Sequence, residues 1–250
     1  MSRPRAFVET AALEGDRVTL TGDGYHHVRR VLRLGSGDEL ELFDGAGLVV
    51  RAIVDEAPER ELVLRVERRW REAPLPGPTV TLVCAELKGD KMDFVVQKAT
   101  ELGVDHFVPV TTERSVVRPA AKARQRRHSR RLKVAREACR QSGRAYLPEV
   151  QPSLSLDDAL ARLAANDDVD AFVLWESSEA EGLAAAMAEA SAPADRCLLV
   201  GPEGGFTAEE VESARDHGFR EVSLGPLVLR AETAAVVAVT LASAHLGRLG

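Results

Sequence analysis

The chain has 250 residues, 45% hydrophobic and 29% charged, the balance of a folded globular protein with room for two domains. No run approaches the ~20 apolar residues of a membrane span, and the start, Met1-Ser-Arg-Pro-Arg-Ala-Phe7, lacks the apolar stretch of a secretion signal. A cytoplasmic protein is therefore expected. Cys84, Cys139 and Cys197 lie far apart and the histidines are scattered, so neither a disulfide framework nor a metal site is expected. The formal net charge of −6 hides an asymmetry. Residues 118–144 carry eleven Lys or Arg and one acid, whereas residues 145–217 carry sixteen acids and three Arg. Such segregation gives either a basic face for a polyanion or two solvated surfaces.

In chain order, the first seventy residues read as short strands at Arg17–Leu20, Glu39–Phe43, Val49–Val54 and Glu61–Val66. Asp44-Gly-Ala-Gly47 is a hairpin signal, His26–Leu34 a short helix stopping at Gly35, and the spacing suggests a small barrel. Glu72-Ala-Pro-Leu-Pro-Gly-Pro78 is a stiff boundary. Strands and helices then alternate. Thr79–Cys84, His106–Val110, Ala171–Trp175, Cys197–Val200 and Glu221–Leu224 are apolar strands. Asp90–Leu102, Ala121–Ser142, an alanine-rich stretch, a helix opened by the capping box Thr207-Ala-Glu-Glu210, and Ala231–Leu246 are helical. This order implies an α/β fold with a largely parallel sheet.

Two strand-to-helix turns carry the chemistry. Leu198-Leu-Val-Gly201-Pro-Glu203-Gly204-Gly205-Phe206 runs a buried strand into a glycine loop at the end where open α/β sheets bind ligands. It is neither a P-loop nor the dinucleotide fingerprint. Ser223-Leu-Gly225-Pro-Leu-Val-Leu-Arg230-Ala-Glu232-Thr233-Ala234 repeats the pattern. Glu232 reads as a partner of the helix dipole. Arg230 is unfavourable beside the positive helix end and calls for an anionic partner.

These two motifs together resemble the RsmE family of SPOUT methyltransferases. The resemblance extends along the chain, through Arg29-Arg-Val-Leu-Arg-Leu-Gly35, Leu42-Phe-Asp-Gly45, Lys88-Gly-Asp-Lys-Met-Asp-Phe94, Gln97-Lys-Ala-Thr-Glu-Leu-Gly103, Thr112-Glu-Arg-Ser115 and Glu137-Ala-Cys-Arg-Gln-Ser-Gly-Arg144. It departs at Leu227, where the family usually has arginine.

The resemblance implies a PUA-like β-barrel RNA-binding domain over residues 1–72 and a SPOUT α/β trefoil-knot methyltransferase domain over residues 73–250. It implies a homodimer that uses S-adenosyl-L-methionine to methylate N3 of a uridine in 16S rRNA, at the decoding region of the small ribosomal subunit. Cofactor contacts are then expected from Leu174, Trp175, Val200, Gly201, Pro202, Glu203, Gly204, Leu224, Gly225, Leu229, Arg230 and Thr233. Arg230 and Arg114 are candidates to stabilise the uracil anion, with Arg5 a further candidate from the barrel. Glu203 or Glu232 could accept the N3 proton. RNA contacts are expected from Arg5, Arg29, Arg30, Arg33, Arg126, Arg127, Arg130 and Arg131.

Overall fold

The computed structural model describes residues 3–163, 168–176, 180–189 and 194–249. The chain divides into two compact units, one of Met1–Pro74 with Arg136–Leu147 and one of Leu75–Ala135 with Pro148–Gly250.

The first unit is built on β1 (Arg5–Phe7), β2 (Arg17–Thr21), α1 (Gly22–His26), β3 (Glu39–Phe43), β4 (Leu48–Glu56) and β5 (Glu61–Arg71). Its sheet runs β1-β3-β4-β5-β2, antiparallel except where β1 lies parallel to β3. Alternation puts Leu40, Leu42, Val50, Ala52, Leu62 and Leu64 on one buried face. The expected hairpin between β3 and β4 forms. Asp44 Oδ1 accepts the backbone N–H of Ala46 at 2.7 Å and of Leu48 at 3.0 Å. Gly47 takes φ 89°, and a Cβ there would lie 2.4 Å from the Tyr146 ring, so only glycine fits.

Two details differ from the sequence reading. The helix expected at His26–Leu34 starts at Gly22 and continues as a π-helical turn over His27–Val31, anchored by the fully buried Val28. β5 runs past Val66 to Arg71 because the pairing shifts where Arg51 faces Arg68 and Ala52 faces Val66. That bulge at Glu67 breaks the alternation that marks a strand.

The second unit contains β6 (Val80–Ala85), α2 (Lys91–Glu101), β7 (His106–Thr111), α3 (Ala121–Ser142, which from Arg136 onward belongs to the first unit), β8 (Glu149–Val150), β9 (Leu154–Ser155) and α4 (Leu156–Leu163). It continues with β10 (Val169–Leu174), β11 (Glu181–Gly182), α5 (Leu183–Ala188), β12 (Asp195–Val200), α6 (Ala208–Asp216), β13 (Arg220–Ser223) and α7 (Ala231–His245). The sheet is parallel, in the order β11-β13-β10-β12-β6-β7-β8, with β9 also paired to β7. Helices cover both faces, so the strands are apolar on both sides. Leu82, Phe172, Leu198 and Val200 pack with residues of α2, α5 and α7. Val83, Val173, Cys197 and Leu199 pack with α4 and α6. Burial pushes the Cys84 and Cys197 thiols up to about 12, which leaves them as inert core residues. Among the described residues no helix is long and apolar enough to cross a membrane.

Candidate active site

The strand order decides where the site lies. β13, β10 and β12 are neighbours and parallel, so the loops that follow them emerge side by side at one sheet edge. Together they line a cavity of about 1090 Å³, just above the usual range for small-molecule sites. Of the twelve expected cofactor contacts, eleven line it: Leu174, Trp175, Val200, Gly201, Pro202, Glu203, Gly204, Leu224, Gly225, Leu229 and Arg230. Thr233 is exposed and does not; its neighbour Ala234 does. A Cβ on Gly204 would come within 3.2 Å of the Arg114 Cβ, so the bare backbone of this loop is what allows its close packing. Apolar walls beside exposed loop backbone suit a nucleoside-type ligand such as the expected cofactor.

The helix after this loop starts as predicted. The Thr207 hydroxyl accepts the Glu210 N–H at 3.2 Å, and Glu210 returns a carboxylate oxygen to the Thr207 N–H at 3.0 Å. The other Glu210 oxygen accepts the Glu113 N–H at 2.6 Å. Arg114 Nη1 donates to the carbonyls of Gly204 (3.3 Å) and Phe206 (3.2 Å). The segment around Arg114 is thereby tied to the glycine loop at two points.

Lys91 links both glycine-loop motifs, a role the sequence reading did not assign. Its ammonium lies 3.2 Å from Glu203 Oε1 and 3.3 Å from Glu232 Oε2. The Glu232 contact is an ion pair off the axis of a hydrogen bond. Partial burial pushes the Glu203 carboxyl up, but the backbone N–H groups of Glu203 and Lys88 together with Lys91 outweigh it and hold it below the usual carboxylate range. Glu203, above all, raises the Lys91 ammonium in return. A sequence signal for Lys91 existed: it is the first residue of α2, where a cation opposes the helix dipole. The same argument singled out Arg230, which caps α7, is exposed, and has no ion-pair partner among the described residues.

The expected RNA contacts separate into three groups. Arg29, Arg30 and Arg33 are exposed on the first unit. On α3, Arg126 is exposed, Arg130 donates to Asp93 (2.5 Å) and Asp90 (3.2 Å), and Arg127 lies 3.9 Å from Glu86. Two arginines turn inward. Arg131 is buried, with its Nη2 donating to both Glu86 oxygens at 2.8 and 2.6 Å, so its guanidinium is withdrawn from any surface contact. Ser153 bonds to the same carboxylate. Arg5 is also buried and donates to the Gly143 carbonyl, which likewise withdraws it from solvent.

The chain can now be set beside known proteins. A model of the RNA methyltransferase domain matches residues 73–243, and a model of the RNA methyltransferase PUA domain matches residues 20–67. Ribosomal RNA small subunit methyltransferase E of Synechocystis is 36% identical over 92% of this chain and 73% of its own. A Legionella pneumophila methyltransferase, solved with bound SAM, superposes with a TM-score of 0.89 at 29% identity, covering 98% of both chains. Ribosomal RNA small subunit methyltransferase E of Neisseria gonorrhoeae, solved with S-adenosyl methionine, gives 0.82 at 28% identity, covering 95% of both. The fold is thus an α/β methyltransferase domain preceded by a PUA-like domain, and the chain belongs to the ribosomal RNA small subunit methyltransferase E family.

Proposed function

We propose that this protein transfers a methyl group from S-adenosyl-L-methionine to N3 of a uridine in 16S rRNA, in the decoding region of the small subunit. The observation that carries the reading is the cavity itself: three adjacent strand-end loops, glycine-rich where a ligand approaches, with an arginine at the rim that has no ion-pair partner among the described residues. Similarity to relatives solved with the cofactor supports the choice of ligand.

The cofactor, when bound, supplies an electrophilic methyl group on a positively charged sulfur. The chain supplies the rest. Uridine N3 carries a proton that is largely retained at neutral pH, so the reaction needs its loss and a means of holding the resulting anion. Arg230 suits the second task, because no carboxylate in the described chain occupies its guanidinium. Arg114 has donors committed to loop carbonyls and serves to shape the pocket. Glu203, ionised and held below its ordinary pKa, is a weak base and is better placed to order the loop through Lys88 and Lys91. The proton then passes to solvent or to Glu232. Positioning the target uracil beside the methyl group provides much of the remaining acceleration.

The same reading gives residues 1–72 to RNA binding and residues 73–250 to methyl transfer. It places the protein in the cytoplasm as a homodimer, with Arg29, Arg30, Arg33 and Arg126 meeting phosphates. Purified protein incubated with isotopically labelled S-adenosylmethionine and small-subunit RNA should yield 3-methyluridine on nucleoside mass analysis. Label recovered in any other nucleoside, or none transferred, contradicts the assignment.

A further inference from the structure

The outward face of the first unit's sheet carries two transverse rows fixed by strand register. Phe7, Phe43, Val49 and Trp70 form one row across β1, β3, β4 and β5, and it is covered by Cys139, Ala145, Tyr146 and Leu147. Arg5, Glu41, Arg51 and Arg68 form the other, three cations against one acid. Like charges directly opposite weaken a strand pair, yet Arg51 faces Arg68 across β4 and β5.

Glu41, in register with Arg51 on the β3 side, is the one counter-charge in the row, shared with Arg5. Glu41 stands 3.9 Å from Arg5, and neither Arg51 nor Arg68 has an ion-pair partner among the described residues. Arg51 Nε is buried without a hydrogen-bond acceptor. Arg5, whose side chain is only 8% exposed, leaves Nε and Nη2 in the same state. Nearby arginines are answered: Arg3 by Glu39, Arg17 and Arg65 by Asp55, Arg69 by Asp16 and by loop carbonyls. Buried donors without acceptors are costly. Their concentration in one row, beside a cation held 5.6 Å from the Trp70 ring, marks a place prepared for an anion.

We propose that Arg51 and Arg68 form a phosphate-binding site for the RNA backbone, separate from the Arg29, Arg30 and Arg33 group, with the buried Arg5 adding positive charge behind them in the same row. The inference rests on RNA being the substrate, as proposed above. A phosphate between the two guanidiniums accepts bidentate hydrogen bonds from their terminal nitrogens and replaces the repulsion by attraction. RNA is favoured over an acidic peptide because the RNA methyltransferase PUA match, residues 20–67, includes Arg51 and ends beside Arg68.

The test is a salt series of binding between the full-length protein and 16S rRNA transcribed in vitro, for wild type, R51Q/R68Q and R51K/R68K. Loss of two phosphate contacts should lower the log–log salt slope by about 1.4, at ~0.7 per contact with single-stranded RNA. The lysine variant should keep the slope and bind more weakly, because charge is retained and the planar fork is lost. Its retained slope also shows that the barrel is folded, and unchanged calorimetric binding of S-adenosylmethionine reports on the other unit. Wild-type binding with an unaltered slope in R51Q/R68Q overturns this site and leaves the substrate reading standing. No RNA binding by wild type overturns both. Loss of polyglutamate binding in R51Q/R68Q with RNA binding intact overturns the RNA assignment in favour of an acidic peptide.

Discussion

Lys91 holds two carboxylates from different glycine-loop motifs, so the electrostatics of the pocket turn on one side chain. Replacing Glu203 with Gln removes a charged acceptor from Lys91 and weakens the one at the Lys88 N–H. S-adenosylmethionine should bind about tenfold more weakly by calorimetry, since hydrogen bonds to charged groups are worth ~1.5–3 kcal/mol and this one is partly exposed. The pH dependence has a fixed sign. The folded Glu203 carboxyl lies below its unfolded value, so its stabilisation is present above the unfolded value and is lost as pH falls through the folded one. Acid unfolding of wild type should therefore be steeper than that of E203Q. The two arginines divide differently. Arg230→Ala should lower kcat by about 10²–10³-fold, as removal of an oxyanion donor does, with a smaller effect on the cofactor Kd. Arg114→Ala should chiefly raise the cofactor Kd, because it releases the carbonyls of Gly204 and Phe206. The opposite split would exchange their roles.

At the scale of elements, α3 is pinned by a carboxylate that lies just beyond β6. Glu86 and Arg131 are both almost fully buried and bond each other twice. Glu86→Ala strands a buried guanidinium and should cost about 3–5 kcal/mol, lowering the melting temperature by at least ~6 °C in a calorimetric scan. A near-wild-type melting curve would mean that solvent reaches Arg131. This pair also shows where sequence reading stops. The period of α3 put Leu132, Ala135 and Cys139 on its apolar stripe, and the structure buries Ala135 and Cys139. Periodicity treats every arginine as polar, so Arg131 beside that stripe read as a surface cation. The acid that draws it inward is distant in sequence. β5 illustrates a second limit, since a single bulge at Glu67 moves Arg68 and Trp70 out of the expected alternation. The parallel strands and the capping box at Thr207 were legible because each is written in a few contiguous residues.

For the whole molecule, the net charge of −6 conceals a division of labour. About half of the arginines pair with an acid; those without an ion-pair partner among the described residues include Arg29, Arg30, Arg33, Arg51, Arg68, Arg126 and Arg230. Composition alone left open whether the basic stretch served a polyanion, and the pairing of Arg130 with Asp90 and Asp93 narrows its free charge. The loops of the pocket were visible as motifs, whereas their convergence depended on β13, β10 and β12 becoming neighbours, which no local pattern encodes. The claim that joins pocket, cations and family is methylation at one uridine N3. Primer extension on small-subunit rRNA from cells with and without the gene tests it directly, because a methyl on N3 blocks Watson–Crick pairing. A reverse-transcription stop at a single uridine, present with the gene and lost without it, is predicted. Identical extension products from both strains would contradict the account.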